Sequence, residues 1–317
     1  MMFSTPRPIA KLTASIALAG ALGLSGGAAV LAQDATPAGT PIGPGQCVAP
    51  EATPSASPVA DGMALASPVA GETQAGTVVE DEAVIAEATA AVENLYACFN
   101  EGNGEAFVAL YTAAGRVDAL GSGDPAAIAA EISTKSTMVQ AEGLEVHEVR
   151  SNDDGSLVVD YQVRLGHQLL HFSDRLVDQG GTWLVDARTF EMPESELDST
   201  TASVKTSIVD GGVFIEVSPS PIMNQPAVKL QITNNGDTAQ NVVLLQGGDA
   251  ASITEVDFAS LPEGVTFIGE GRAQAGEIVD IAFEELPEGN YVIVVEADGG
   301  ETGSFDLTID PPFDPTA

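Results

Sequence analysis

The sequence predicts an α+β domain followed by an all-β sandwich, and three observations carry that prediction. Apolar residues recur at helical spacing from Asp81 to about Ile132, then switch to strict alternation from Leu144 to Phe190. Seven short β-type runs follow between Val213 and Ile309, separated by turn residues. Helices grouped ahead of an antiparallel meander make an α+β unit, and many short strands with Gly and Pro punctuation make a sandwich.

In the first helix, Val84, Ala88, Ala91, Val92, Leu95, Tyr96 and Phe99 fall on one stripe, and Gly102-Asn103-Gly104 ends it. A second short helix carries Phe107, Val108, Leu110 and Tyr111 and is expected to stop at Gly115. A third opens at Asp124-Pro125, a cap residue followed by Pro at the first helical position, and runs through Ile128 and Ile132. Alternation then predicts strands over Leu144–Arg150, Leu157–Leu165, His167–Asp178 and Thr182–Phe190. Asn152-Asp153-Asp154-Gly155 supplies the first hairpin turn and Gln179-Gly180-Gly181 the last. The sandwich runs are Val213–Val217, Ala227–Thr233, Gln240–Gln246, Val265–Ile268, Ile278–Phe283, Asn290–Glu296 and Gly303–Ile309. One turn, Leu-Pro-Glu-Gly, is used twice, at Leu261 and Leu286.

Ahead of these domains, residues 1–32 have the three parts of a secretory signal. Arg7 and Lys11 charge the start, an apolar stretch runs from about Leu12 to Leu24, and Val30-Leu31-Ala32 fits a small-residue cleavage site. The apolar run is too short and too Gly-rich to span a bilayer comfortably, so no membrane span is expected after cleavage. Residues 33–76 are rich in Pro, Ala, Thr and Ser, repeat Ser-Pro-Val-Ala, and carry no hydrophobic period. Such a segment reads as a disordered linker. The expected division is therefore signal peptide 1–32, linker 33–76, α+β domain 77–195 and sandwich 200–312, in a secreted or cell-surface protein.

Removing the leader leaves nine basic and 46 acidic residues, a net charge of −37. That charge repels phosphate backbones and anionic lipid, so nucleic-acid binding is not expected. Outside the cytoplasm Cys47 and Cys98 can pair and pin the linker to the first helix; the alternative is a free or intermolecular thiol at Cys47.

Two stretches carry resemblances. Ala97-Cys98-Phe99-Asn100-Glu101-Gly102-Asn103 with Ala106-Phe107-Val108-Ala109-Leu110-Tyr111, and Phe172-Ser173-Asp174-Arg175-Leu176-Val177 with Gly181-Thr182-Trp183-Leu184-Val185-Asp186, resemble nuclear transport factor 2-like (SnoaL-like) domains. That resemblance implies a cone, with helices packed on a curved antiparallel sheet, which often holds a small ligand. It also implies that dimers are common and that members include isomerases, cyclases, dehydratases and many non-enzymes. Val228 to Leu245 and Phe283 to Val295 resemble cupredoxin-like strand pairs. A type I copper site needs two imidazoles and a thiolate, but no His follows His171 and no Cys follows Cys98, so no metal site is expected there.

Within the implied cone, Gln168, Leu170, Phe172, Asp174 and Leu176 share one strand face. Asp174 among apolar neighbours is the candidate acid–base group, with Tyr161 from the next strand as a hydrogen-bond donor. The competing reading places Asp174 at a solvated rim, paired with an arginine such as Arg164 or Arg188. Tyr96, Phe99, Tyr111, Tyr161, Phe172, Asp174 and Trp183 are the candidate ligand contacts. His167 and His171, four apart on a strand, lie about 13 Å from each other and cannot share a metal. No phosphate-binding Gly-rich loop, serine-nucleophile elbow or zinc-protease motif is present, and no cofactor is expected. Three functions stay open. The first is a non-catalytic binding protein for a small apolar ligand or a protein partner, dimeric through the first domain. The second is a SnoaL-like enzyme using Asp174, and the third a structural envelope component.

Overall fold

The computed structural model describes residues 47–50, 76–191, 199–209, 211–223 and 226–311. The expected leader, and the expected linker apart from 47–50 and 76, lie outside the described residues. The molecule is mostly β-sheet with few helices. Strand β1 (Thr77–Val78) precedes helices α1 (Glu82–Asn100), α2 (Gly104–Ala109), α3 (Ala113–Leu120) and α4 (Pro125–Lys135). A meander follows: β2 (Ala141–Ser151), β3 (Leu157–Leu165), β4 (Gln168–Asp178) and β5 (Trp183–Glu191). The second half holds β6 (Ser199–Val209), β7 (Gly212–Ser218), β8 (Ile222–Met223), β9 (Ala227–Asn234) and β10 (Gln240–Gln246). It ends with β11 (Thr266–Ala273), β12 (Ile278–Glu284), β13 (Gly289–Ala297) and β14 (Thr302–Asp310).

Each helix starts on a side-chain cap. Asp81, Asn103, Thr112 and Asp124 accept hydrogen bonds from the first-turn N–H groups of α1 to α4. The sequence reading ended the second helix at Gly115 and missed a helix. The chain instead breaks at Leu110–Thr112, and Thr112 restarts it as α3, with Gly115 inside. Glycine is there for proximity: a Cβ on Gly115 would lie 2.1 Å from the Val185 carbonyl oxygen of β5. Tyr111 and Val185 form a bridge at the same point, which fixes the helices to the sheet edge.

Cys47 and Cys98 form a disulfide with 4.4 Å between their Cα atoms. Residues beside it are clamped to α1 as well. Val48 N–H donates to Asn94 Oδ1 at 2.8 Å, Asn94 Nδ2 donates back to the Val48 carbonyl at 3.0 Å, and Cys47 N–H donates to Glu101 Oε1 at 3.0 Å.

The largest departure from the expected layout is at the border between the halves. One nine-stranded sheet runs β1-β2-β3-β4-β12-β9-β6-β7, with β5 also on β4. On its free edge β4 pairs with two strands in succession: Gln168 and Leu169 with β12, then His171 to Asp178 with β5. The second sheet runs β11-β10-β13-β14-β8. Its central strands are covered on both faces. Val242, Leu244, Ile293 and Val295 enter the sandwich core, while Val243, Leu245, Val292 and Val294 join the core of the first half. Two-sided burial accounts for the unbroken apolar runs Val242–Leu245 and Tyr291–Val295, where alternation fails. Strands β6 and β8 were also missed, β6 because its Ser/Thr-rich sequence lacks a strong apolar face.

A buried ion pair sits on this border. Lys135, in the last turn of α4, is fully buried and pairs with Glu270 of β11 and with Glu131 at 2.9 Å. Its ammonium lies 4.8 Å from the Phe258 ring centre. Beside it the Gln168 amide brackets the Glu270 backbone, donating to its carbonyl at 2.7 Å and accepting from its N–H at 3.2 Å. Among the described residues no helix is long and apolar enough to cross a membrane.

Candidate functional site

Strand alternation and α1 aim five polar side chains into the core of the first half. Asp174 of β4 pairs in register with Arg188 of β5 and Val159 of β3, and Tyr161 pairs with Phe172. Tyr96 comes from the buried stripe of α1 and Tyr111 from the break after α2. These side chains meet. Arg188 donates from Nε to Asp174 Oδ1 at 2.7 Å and from a terminal nitrogen to Oδ2 at 2.6 Å, a bidentate pair. The same nitrogen reaches the Tyr161 oxygen at 2.8 Å, and the Tyr161 hydroxyl donates to Asp174 Oδ2 at 2.8 Å. Tyr96 and Tyr161 hydroxyls are 3.2 Å apart. The guanidinium stacks 4.2 Å from the Phe172 ring centre and 5.8 Å from that of Tyr111.

The position of Asp174 corrects the solvated-rim alternative. Its side chain is 0% exposed and that of Arg188 only 6%. Arg164 is not the partner; it bonds Glu142 at 3.3 Å near the surface. Burial acts against the Arg188 charge, but Asp174 and the three tyrosines outweigh it and hold the guanidinium pKa well above its ordinary value. Burial also pushes the tyrosines up, Tyr96 to about 12 and Tyr111 and Tyr161 well above their usual range, so all three stay protonated. The buried Tyr111 hydroxyl has no hydrogen-bond partner.

Of the seven candidate contacts, the structure brings together Tyr96, Tyr111, Tyr161, Phe172 and Asp174. Phe99 is buried one helical turn away against Phe107, ring centres 6.2 Å apart. Trp183 is half-buried at the far start of β5, opposite Asp178. The member that sequence reasoning underrated is Arg188. Its alternation with Phe190, both facing β4, was the available signal.

His167 and His171 turn to different partners. His167 Nδ1 lies 3.1 Å from the Glu284 carbonyl, and His171 Nε2 lies 2.5 Å from Asp160 Oδ1. Reading along one strand missed a group that forms across strands: ligand-type atoms of Asp160, His171 and Glu191 all lie within 4.8 Å of one another.

No family profile and no curated protein matches the chain. Parts of it are similar to solved structures. Aln2 from a Streptomyces species is 19% identical over 36% of this chain and 93% of its own, at a TM-score of 0.30. ActVI-ORFA from Streptomyces coelicolor is 18% identical over 34% of this chain and 95% of its own, at 0.27. The blue copper protein auracyanin A from Chloroflexus aurantiacus is 16% identical over 36% of this chain and all of its own, at 0.25. Scores of that size describe a partial likeness of shape and carry nothing about function.

Proposed function

We propose that this is an exported, non-catalytic binding protein whose first half, about 77–195, forms a cone around the Asp174–Arg188–tyrosine cluster and takes a small, mainly apolar ligand. The leader and linker support export, and the sandwich, about 200–312, is the platform behind the cone. One observation carries the non-catalytic reading: both carboxylate oxygens of Asp174 are engaged by Arg188, and one also by Tyr161. A general base must receive a proton on a free lone pair. A carboxylate gripped bidentately by a permanent cation is a poor acceptor and a good anchor. The unpartnered Tyr111 hydroxyl beside this anchor supplies the polar contact for a guest carrying one carbonyl or hydroxyl group.

The same convergence supports a second reading, a SnoaL-like enzyme in which Arg188 and the tyrosines polarise a substrate carbonyl. One experiment separates the two. Wild-type protein and the Tyr111→Phe and Asp174→Asn variants are screened by thermal shift against small apolar ketones, alcohols and phenols, with product analysis by mass spectrometry. The binding reading expects at least one compound that raises Tm without being changed, and a shift at least halved in Tyr111→Phe. No shift from any compound overturns it. Turnover that disappears in Asp174→Asn favours the enzyme.

A further inference from the structure

The opposite face of β3, β4 and β5 carries a second constellation. Residues alternate there with those of the inner face: Asp160 beside buried Tyr161, His171 beside buried Phe172, and Glu191 beside Phe190, which is exposed at the end of β5. Glu191 stands directly across from His171 in the β4–β5 register, and Asp160, whose partner is Ser173, stands on the diagonal. The His171 and Asp160 side chains are only 15% and 20% exposed. His171 Nδ1 is buried without a hydrogen-bond partner. A fourth group, the exposed His147, lies alongside on β2. His147 is the extra residue in a bulge between Val146 and Glu148, and its ring centre lies 5.5 Å from that of His171, tilted by 59°.

We propose that Asp160, His171 and Glu191, with His147 as fourth ligand, bind one divalent transition-metal ion of the zinc type. Ligand number, type and spacing agree with this. Two carboxylates balance a divalent charge, and imidazole with carboxylate suits zinc and its neighbours. Ligand atoms on one tetrahedral zinc lie about 3.3 Å apart for metal–ligand bonds of about 2.0 Å. The three atoms, now within 4.8 Å, reach that spacing by side-chain rotation, with the 2.5 Å Asp160–His171 contact opening slightly. Two imidazoles on the same ion have ring centres about 5 Å apart, adding roughly 1.2 Å from nitrogen to ring centre to each bond. The observed 5.5 Å is close to that value. The strongly acidic chain raises the local concentration of cations. A bound ion would tie four neighbouring strands together where β5 ends. This site faces away from Asp174, and its fate does not depend on the ligand proposed for the inner cluster.

The test is calorimetric titration of chelator-treated full-length protein with ZnCl2, with Co2+ absorption as a readout of coordination. One saturable equivalent is expected. His171→Ala is expected to bind at least about tenfold more weakly, since even outer-shell losses cost that much. Glu288→Gln, an exposed acid in the bend before β13 and outside the proposed ligand set, is expected to bind as wild type. His171→Gln and His147→Ala, checked for folding by circular dichroism, repeat the measurement with smaller perturbation. An absence of saturable binding, or equal affinity in wild type and every folded site variant, overturns the proposal and leaves only diffuse attraction to an acidic surface.

Discussion

The two cores of this molecule are built on different terms. In the first half, Asp174 and Arg188 sit among Tyr96, Tyr111, Tyr161 and Phe172. The sandwich core of Leu230, Ile232, Ile281, Phe283, Ile293 and Val295 is a cluster of aliphatic and aromatic side chains. Apolar packing needs no partner geometry and stabilises in proportion to the area removed from water. A buried ion pair loses hydration that its Coulomb attraction only about repays, so well-packed apolar residues would serve stability equally well or better. The contrast teaches where to look. The second half also buries polar groups, but Thr206, Asn234 and Gln240 there are neutral and its one buried charge among the described residues, Glu270, sits on the border with Lys135, whereas the first half keeps a charged pair at its centre, and that is the argument for looking there first.

The sharpest way to break this comparison is to remove half of the pair. Arg188→Ala strands a buried carboxylate and is expected to destabilise by about 3–5 kcal/mol in urea denaturation. Replacing both partners, Asp174→Leu with Arg188→Met, is expected to cost less than the single variant, the remainder coming from the buried Tyr161 hydroxyl left with Tyr96 as its partner, while abolishing ligand shifts. If the single variant costs under about 1 kcal/mol, the charge is not truly sequestered and the contrast between the cores fails.

A somewhat smaller effect is expected from the disulfide, which ties Cys47 to Cys98 on the first helix of the first half. Its 51-residue separation predicts roughly 4 kcal/mol by chain entropy, with about 2–4 kcal/mol typical in practice. Cys47→Ser with Cys98→Ser should therefore loosen α1, the source of Tyr96. Hydrogen exchange then sharpens the comparison. Loss of protection confined to the helices and β2–β5 means that the halves unfold separately. Loss that spreads into β12 and β10 means that the shared sheet and the two-sided strands couple them.

How much of this could be read from the chain follows from the range of each interaction. Helix caps at Asp81 and Asp124, the β3 alternation and the Asn152–Gly155 turn are local, and the residues themselves declare them. The break at Thr112 was missed although Thr112 is a local cap, because the contact that holds it open is remote, the backbone bridge of Leu110–Thr112 to Val185. The joining of β4 to β12 is remote too: Gln168 and Phe283 lie more than a hundred residues apart, and neither bears a mark of the other. The inner site was half legible. Periodicity placed Asp174 and Tyr161 on the buried faces, yet the choice of Arg188 over Arg164 needed the register of β5. The outer group of His171, Asp160 and Glu191 was invisible along any single strand, because three strands contribute one residue each.

The smallest expected effect separates the two cores by pH. Tyr96 titrates near 10 when unfolded and at about 12 in the folded protein, because burial disfavours the phenolate. The folded state therefore holds its proton where the unfolded chain releases it. The resulting stability is intact below pH 10 and is lost as pH climbs through 12. Each such group contributes up to about 1.4 kcal/mol per pH unit in that window. Tyr96→Phe should flatten the alkaline decline of stability by up to that slope, with Tyr111 and Tyr161 maintaining the rest. In the sandwich, burial raises Tyr291 as well, but this tyrosine donates to the Pro287 carbonyl at 2.5 Å and belongs to the other core. Tyr291→Phe should remove one increment of the same kind. Tyr96→Phe should in addition shift the alkaline titration of the remaining first-half tyrosines, because Tyr96 and Tyr161 share a hydrogen bond and the Asp174–Arg188 field. Ultraviolet pH titration of the two variants reads that difference directly. Identical residual curves would mean that the first-half tyrosines titrate as independent buried groups rather than as one cluster.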